Sequence, residues 1–185
     1  MRTGNGHDKG FTLVELLMTI AIITVLAMIA LPAFGSLFGR TRTEAARGLL
    51  ETSLNQARLA AVGRNAAVTA CPSSDSAACD RSTRWHHGWI VFVDRDRDGM
   101  RSEDEPLLAA EQARRGVAIL GTPGRLRVGY RPDGSVSGTN VTLTVCDPAS
   151  GVAGATTLVV SMSGRIRHGT PTAEAATACI RAAGA

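Results

Sequence analysis

The sequence predicts an α+β protein in which one long N-terminal helix packs on antiparallel β-sheet. The first observation is an apolar segment at residues 11–31 that contains a single charged side chain. The second is a helical pattern of apolar residues that resumes near residue 43 and continues to about residue 64. The third is a change after residue 65 to short β-like runs separated by Gly, Pro, Ser and Asp. A helix with an apolar stripe and a sheet with an apolar face bury these surfaces against each other.

The apolar segment is long enough to cross a lipid bilayer. Its 21 residues would span about 30 Å at about 1.5 Å per residue. Basic residues precede it, so we expect a single pass with the N-terminus in the cytoplasm and the remaining chain outside. Its one charged side chain is Glu15. A lone carboxylate at membrane depth is energetically costly and therefore indicates a functional site.

The second part of the predicted helix is amphipathic. Apolar residues recur at i, i+4, i+8, i+11 and i+15, a spacing that places them on one helical face. These residues are Ala46, Leu50, Leu54, Ala57 and Ala61. We expect this stripe to pack on the sheet.

The remaining chain predicts a β-rich domain. Residues 141–146 alternate Val, Thr, Leu, Thr, Val and Cys, which indicates a half-buried strand. The other candidate strands are residues 67–71, 89–93, 117–120, 126–131, 156–162 and 165–167.

The four cysteines predict disulfides. None of them forms a Cys-x-x-Cys pair, so zinc or thioredoxin-like chemistry is not expected. An even number of cysteines in a domain outside the cytoplasm is typical of disulfide bonding. Three pairings are possible. We favour Cys71–Cys79, which closes a small polar loop, together with Cys146–Cys179, which joins the C-terminal tail to a strand.

The sequence GFTLVEL at positions 10–16, followed by the apolar run and Pro32, resembles the N-terminus of type IV pilins and of the pseudopilins of type II secretion. An ordinary signal anchor with a tolerated Glu is the alternative. The resemblance implies the type IV pilin fold and cleavage by a prepilin peptidase between Gly10 and Phe11, with methylation of the new N-terminus at Phe11. Glu15 would then pair with the N-terminal amine of a neighbouring subunit during filament assembly. The implied segments are a leader at 1–10, a transmembrane and assembly helix at 11–38, and a globular head at 39–185.

The head domain resembles the GspH/FimT branch of the same superfamily. The resemblance rests on WHHGWIVFVD at 85–94 with the acidic loop that follows it, YRPDG at 130–134 and GRIR at 164–167. It implies a minor pilin whose partners are other pilins and the prepilin peptidase. The implied localisation is the bacterial inner membrane, with the head in the periplasm, and then an extracellular pilus.

The segment GRIR near the C-terminus is the candidate nucleic-acid contact. If a turn at Gly164 leads into a strand, Ile166 points inward and Arg165 and Arg167 point outward, about 7 Å apart. Guanidinium groups suit phosphate oxygens. The pattern is similar to the DNA-contact motif of FimT-type minor pilins, which implies non-specific DNA binding for uptake in natural transformation. The alternative is a pair of exposed arginines that protect a sheet edge.

Two further arginines repeat this arrangement at a position the family motif does not occupy. Arg125 and Arg127 occur in GRLR at 124–127, and only their charge argues for DNA contact. The rival function is that of a minor pseudopilin of type II secretion, similar to GspH, with a structural role and no DNA partner.

The segment DRDRDGMRSEDE at 94–105 has the spacing of a calcium-binding loop. Asp94, Asp96, Asp98 and Glu105 occupy ligand positions, with Gly99 at the turn. Three arginines among these carboxylates weaken the field at a cation, so we favour a self-neutralised hairpin loop and expect no metal. The sequence contains no recognisable nucleophile elbow, phosphate loop or acid–base pair. We therefore expect neither an enzyme nor a cofactor.

Overall fold

The computed structural model describes residues 11–183, without the side chains of residues 31–34 and 36. The predicted leader, including Gly10, lies outside the described residues. The chain divides into two compact units, the first ending at Gly35 and the second beginning at Ser36. The helix α1, Leu13–Arg64, contributes residues to both units.

The N-terminal part of α1 is apolar and exposed. Its first 18 residues, Leu13–Ala30, have a mean hydropathy of 2.5, and none of them is buried. By length and composition this segment can cross a membrane, a criterion that an N-terminal signal sequence also meets. The helix begins with two reciprocal contacts. The backbone N–H of Glu15 donates to the Thr12 hydroxyl at 3.3 Å, and the Thr12 N–H donates to the Glu15 carboxylate at 3.5 Å. This is the capping-box arrangement, which satisfies N–H groups that have no partner within the helix.

The second unit contains two four-stranded sheets, both antiparallel. Their orders are β3-β2-β1-β5 and β4-β6-β7-β8. A second helix, α2, ends the described chain, and three short 3₁₀ helices occupy loops. The strands and α2 are β1 Val68–Pro72, β2 Gly88–Val93, β3 Leu107–Gln112, β4 Ala118–Gly121, β5 Val128–Tyr130, β6 Val141–Cys146, β7 Thr156–Val160, β8 Ile166–Gly169 and α2 Ala173–Ala182.

The predicted stripe on α1 forms the centre of the hydrophobic core. All five of its residues are at most 1% exposed, which confirms the amphipathic pattern. They belong to one cluster with residues of both sheets, including Trp89 and Val91 of β2 and Leu143 of β6. Burial of each large apolar side chain stabilises the fold by about 1.5–3 kcal/mol. The helix therefore holds both sheets through one shared core.

A smaller apolar cluster lies on the opposite face of each sheet. Ala118 and Ala176 pack with the Cys146–Cys179 disulfide between α2 and the β4–β6 pair. Ile90 and Phe92 pack with Cys71, which bonds to Cys79 and holds the loop after β1 against the first sheet. These are the two pairings favoured from the sequence. The disulfides thus tie covering segments to the outer faces of the sheets.

The structure confirms the α+β class and contains two sheets, a number that the sequence did not predict. It differs from the sequence-based elements in three respects. The strand β3 and the helix α2 were not predicted. The strand β8 begins at Ile166, so Arg165 lies in the preceding turn. The second sheet requires no change of class, because both sheets are antiparallel and share one helix.

Candidate functional site

The turn that precedes β8 depends on Gly164. Its N–H donates to the carbonyl oxygen of Ser161 at 2.8 Å, and the Ser161 N–H donates to the carbonyl oxygen of Arg165 at 2.9 Å. These two bonds close a tight hairpin between β7 and β8. Gly164 has φ +75°, a left-handed conformation that glycine adopts without the strain a side chain would cause.

The same turn packs directly against the turn at residues 131–134. A Cβ atom at Gly164 would overlap the carbonyl oxygen of Gly134. Arg58 of α1 donates hydrogen bonds to both turns. Its Nε donates to the carbonyl oxygen of Gly134 at 3.0 Å, and its Nη2 donates to that of Ser163 at 3.2 Å. The sequence motifs at 130–134 and 164–167 are therefore neighbours in space and are fixed to the helix by one side chain.

The two candidate DNA-binding arginines face solvent. Ile166 packs against the main core, while Arg165 and Arg167 on either side of it are exposed. Neither guanidinium has a hydrogen bond or ion pair with another of the residues 11–183. Side chains at alternate positions of extended chain lie about 7 Å apart. The alternation expected from the sequence is present, and it leaves two adjacent cationic groups available to a ligand.

His168 fixes β8 to the helix, a role that the sequence did not reveal. Its Nδ1 lies 2.9 Å from Nη1 of Arg47, and its Nε2 lies 2.8 Å from Oε2 of Glu51. Because a guanidinium can only donate, Nδ1 accepts and Nε2 carries the hydrogen that is donated to the carboxylate. This contact holds the residue next to Arg167 and so limits the movement of the edge strand.

Arg125 and Arg127 belong to a different region, the outer face of the first sheet. Nη2 of Arg125 donates to the carbonyl oxygens of Ser137 and Thr139 at 3.2 and 2.8 Å. The guanidinium of Arg127 packs against Gly99 of the acidic loop. The two arginines therefore do not reproduce the arrangement of Arg165 and Arg167, although their spacing in sequence is the same.

The acidic loop is a hairpin connection between β2 and β3. Oxygen atoms of Asp94, Asp96 and Asp98 lie within 4.8 Å of one another. The carboxylate of Asp94 accepts the Thr69 hydroxyl at 2.7 Å. Both oxygens of Glu105 accept backbone N–H groups, from Arg95 at 2.6 Å and from Ser102 at 3.0 Å. These bonds give the carboxylates of Asp94 and Glu105 partners in β1 and in the loop. The absence of calcium stays a prediction.

At the N-terminal end of the described residues, Phe11 is 84% exposed and Glu15 is exposed on the apolar helix. The Glu15 carboxylate contacts Thr12 only weakly, at 3.5 Å. A stronger donor, such as an amine, can displace this contact at little cost.

Two sequence-family profiles match the chain. The profile described as a prokaryotic N-terminal methylation motif matches residues 5–31. The profile described as type II transport protein GspH matches residues 46–164. No curated protein matches the sequence closely enough to serve as a relative.

Solved structures of minor pilins resemble this one. A structure of the type IV minor pilin FimU of Pseudomonas aeruginosa has 19% identity and a TM-score of 0.56, and it covers 73% of this chain and 92% of its own. A second crystal form of FimU has 18% identity and a TM-score of 0.53, with 68% and 91% covered. The minor pseudopilin EpsH of the Vibrio cholerae type 2 secretion system has 10% identity and a TM-score of 0.49, with 70% and 98% covered.

The FimU likeness at these identities shows the type IV pilin fold. The methylation profile and the apolar N-terminal helix together indicate a membrane-anchored pilin. The GspH profile extends over more than half of the chain, through the amphipathic part of α1 and nearly all strands. The chain therefore belongs to the GspH family, which is described as type II transport protein GspH.

Proposed function

We propose that this protein is a minor pilin of a type IV pilus that binds extracellular DNA non-specifically during natural transformation. The observation that carries the proposal is the exposed pair Arg165 and Arg167, which have no ion pair or hydrogen-bond partner within residues 11–183. Packing of Ile166 and the contacts of His168 fix the start of β8, where Arg167 lies on the strand and Arg165 directly precedes it. A fixed pair loses less conformational entropy on binding than a mobile one.

The chemistry of this pair suits a phosphate backbone. Each guanidinium can donate two parallel hydrogen bonds to phosphate oxygens. Two contacts give weak, salt-dependent binding without base recognition. Several subunits in one filament would raise the apparent affinity, because the second contact becomes intramolecular once the first has formed.

Processing and assembly would follow the pilin pathway. A prepilin peptidase would cleave between Gly10 and Phe11 and methylate Phe11. The subunit would lie in the bacterial inner membrane as a single-pass protein with its head in the periplasm. Glu15 would exchange its weak contact with Thr12 for the N-terminal amine of a neighbouring pilin, which offsets the cost of a carboxylate in the membrane. The subunit would then join other pilins in the extracellular filament.

The test compares two variants of the full chain in a non-ionic detergent. Arg165→Gln with Arg167→Gln removes the proposed contacts. Arg114→Gln with Arg115→Gln removes the same charge from an exposed loop. Fluorescence anisotropy with duplex DNA is measured from about 50 to 200 mM salt. We expect the first variant to reduce the slope of log affinity against log salt by about 1.8, and the second to leave it nearly unchanged.

If the Arg165 and Arg167 variant binds duplex DNA with the affinity and salt slope of the parent, the proposed contact is wrong. If the Arg114 and Arg115 variant loses as much affinity as the Arg165 and Arg167 variant, DNA binding depends on the overall charge of the protein and not on the arginines beside β8. Melting temperatures of all three proteins are measured in parallel, so that a loss of folding is recognised.

The second candidate is a minor pseudopilin of a type II secretion system with a structural role. The match to the GspH profile favours it, and that match ends at Gly164, just before the two arginines. Deletion of the gene distinguishes the two functions. Loss of transformation with normal protein secretion supports the first, and loss of secretion with normal transformation supports the second.

A further inference from the structure

A cleft lies on the outer face of the first sheet. Val68, Val128 and Tyr130 belong to the main core, so Thr69 of β1 and its β5 partner Gly129 face the opposite side, where they line the cleft. The loops at 79–81, 94–100, 124–127 and 131–138 form its walls. Its volume is about 770 Å³, within the range of cavities that bind small molecules. None of the residues of the candidate DNA-contact motif at 164–167 lines this cleft.

Five arginines line this cleft: Arg81, Arg97, Arg125, Arg127 and Arg131. Arg125 and Arg131 are engaged by the protein, because each donates to carbonyl oxygens of residues 136–139. Among residues 11–183, the side chains of Arg81, Arg97 and Arg127 have no hydrogen bond or ion pair. Three guanidinium groups are therefore available in one concave surface.

The carboxylates in the cleft form no ion pair with these arginines, and there are fewer carboxylates than arginines. Asp80 accepts the hydroxyl of Ser74 at 3.2 Å, and Asp98 accepts the N–H of Met100 at 2.6 Å. Asp94 is buried and bonds to Thr69. The ion pairs formed by the described residues all lie elsewhere. With five arginines and three aspartates lining it, the cleft has a formal charge of +2. It is therefore suited to an anion.

The cleft and the arginines of β8 adjoin the same turn. Arg131 and Pro132 line the cleft, and Gly134, two residues later, touches Gly164. The backbone of Val136 also bonds to Met162 at 2.8 Å. A chain bound in the cleft would pass over this turn to reach Arg165. The two cationic regions can thus contact one extended ligand.

We infer that the cleft binds consecutive phosphate groups of a single nucleic-acid strand that continues to Arg165 and Arg167, an inference that rests on the proposed DNA binding. A volume of about 770 Å³ corresponds to a cube with edges of about 9 Å, which is narrower than the roughly 12 Å major groove of a duplex alone, so a single strand fits the cleft better. Among the lining residues, the one aromatic side chain, Tyr130, is buried in the main core, so no ring offers a stacking platform for bases. The cleft therefore recognises phosphates, without base preference, and gives the protein a preference for single strands over duplex.

The experiment uses the full chain in a non-ionic detergent. The nucleic-acid ligands are an oligothymidylate of about 20 nucleotides and a duplex of equal length. Inorganic tripolyphosphate is the third ligand, because it has linked phosphate groups but no nucleosides. The cleft variant is Arg97→Gln with Arg127→Gln, and the control is Arg114→Gln with Arg115→Gln. Arg127→Lys keeps the positive charge but removes the guanidinium that packs on Gly99. It therefore shows whether binding of the single strand depends on the charge or on this packing.

We expect the cleft variant to lose about fivefold or more in affinity for the single strand and to reduce its salt slope by about 1.4. Its affinity for duplex should change by less than about twofold. The β8 variant should lose affinity for both ligands. Arg127→Lys should keep the salt slope of the parent.

Three results would overturn the inference in distinguishable ways. If the cleft variant binds the single strand as the parent does, while the β8 variant does not, the cleft is not a contact and the proposed function stands. If the parent binds neither nucleic acid at low salt, the proposed function and the inference both fail. If tripolyphosphate displaces the single strand at equal phosphate concentration, the cleft prefers free polyphosphate, and the nucleic-acid assignment is wrong.

Discussion

Replacement of Gly164 by alanine should destabilise the head more than the same change at Gly124. Both glycines have left-handed backbone, with φ +75° and +77°. They differ in their surroundings. A Cβ at Gly164 would collide with the carbonyl oxygen of Gly134, while a Cβ at Gly124 meets no atom within 4 Å. Gly124→Ala is therefore a matched control that changes the backbone preference alone.

The expected loss of stability has two sources, the left-handed backbone of the new alanine and the collision of its Cβ with the neighbouring turn. An alanine in the left-handed region costs about 1–2 kcal/mol, and this cost is common to both variants. At Gly164 the obstacle is backbone and cannot rotate away, so the two turns must separate at a further cost of about 1–3 kcal/mol. Separation also weakens the hydrogen bonds from Arg58, each worth about 1 kcal/mol. With about 1 kcal/mol for the weakened hydrogen bonds, the sums are about 1–2 kcal/mol for Gly124→Ala and about 3–6 kcal/mol for Gly164→Ala.

Thermal unfolding of the full chain in a non-ionic detergent measures the difference. Trp85 and Trp89 are both buried, so their fluorescence reports unfolding of the head. At about 2–4 °C per kcal/mol for a chain of this length, we expect falls of about 4 °C for Gly124→Ala and about 12 °C for Gly164→Ala. Equal falls in melting temperature would contradict this prediction, because they would mean that the contact between the two turns does not contribute to stability.

Three further predictions concern covalent links, pH and calcium. Replacing both Cys146 and Cys179 by alanine should cost about 4 kcal/mol, against about 2.5 kcal/mol for Cys71 and Cys79, because the closed loops span 33 and 8 residues. Denaturant midpoints in the opposite order would contradict this. Burial raises the pKa of Tyr130 above its usual value of 10.0. The folded state then holds a proton that the unfolded chain releases, so stability should fall as the pH rises above 10. The hydroxyl has no hydrogen-bond partner within residues 11–183, so Tyr130→Phe should match the parent at neutral pH and lose less stability in alkaline denaturation curves. Calcium at about 1 mM should shift the melting temperature by less than about 1 °C; a larger shift abolished by neutralising the acidic loop would show a metal site.

The helix and most strands could be predicted from the sequence because their periodicity reflects burial. The stripe on α1 repeats at helical spacing, and all of its members are buried. The strand β3 has no such signal. Its sequence LLAAEQ contains no β-branched or aromatic residue, the types that favour strands. Pairing with β2 across the hairpin makes it a strand, and its edge position leaves much of it exposed.

The sequence of α2 contains a local helix signal, although no helix was predicted there. Half of its ten residues are alanine, the strongest helix former. Thr172 precedes it and accepts the N–H of Ala175 at 3.2 Å, as an N-cap residue does. A helix this short is marginal by itself. The bond between Cys179 and Cys146 and the packing of Ala176 supply the tertiary support.

The exposed arginines of the candidate site could be predicted from the sequence. The contacts that hold the surrounding backbone in place could not. Outward projection of Arg165 and Arg167 needs only the alternation of extended chain. The contacts of Arg58 and His168 join residues more than 70 positions apart in sequence. No local pattern encodes such pairs, because they depend on where the helix meets the two turns.

The segment at 164–168 therefore combines two kinds of residue in strict alternation. Gly164 makes room for the neighbouring turn, Ile166 enters the core and His168 binds the helix. These three positions serve the fold and would be needed equally in a pilus or a secretion pseudopilin. The side chains of Arg165 and Arg167 form no hydrogen bond or ion pair within residues 11–183, so the fold does not require their charge. A resemblance to the motif at 164–167 thus supports the fold at Gly164 and Ile166, and DNA binding only at Arg165 and Arg167. For this reason the function depends on measurements at the arginines, with Ile166 and His168 as the positions where a change should affect stability first.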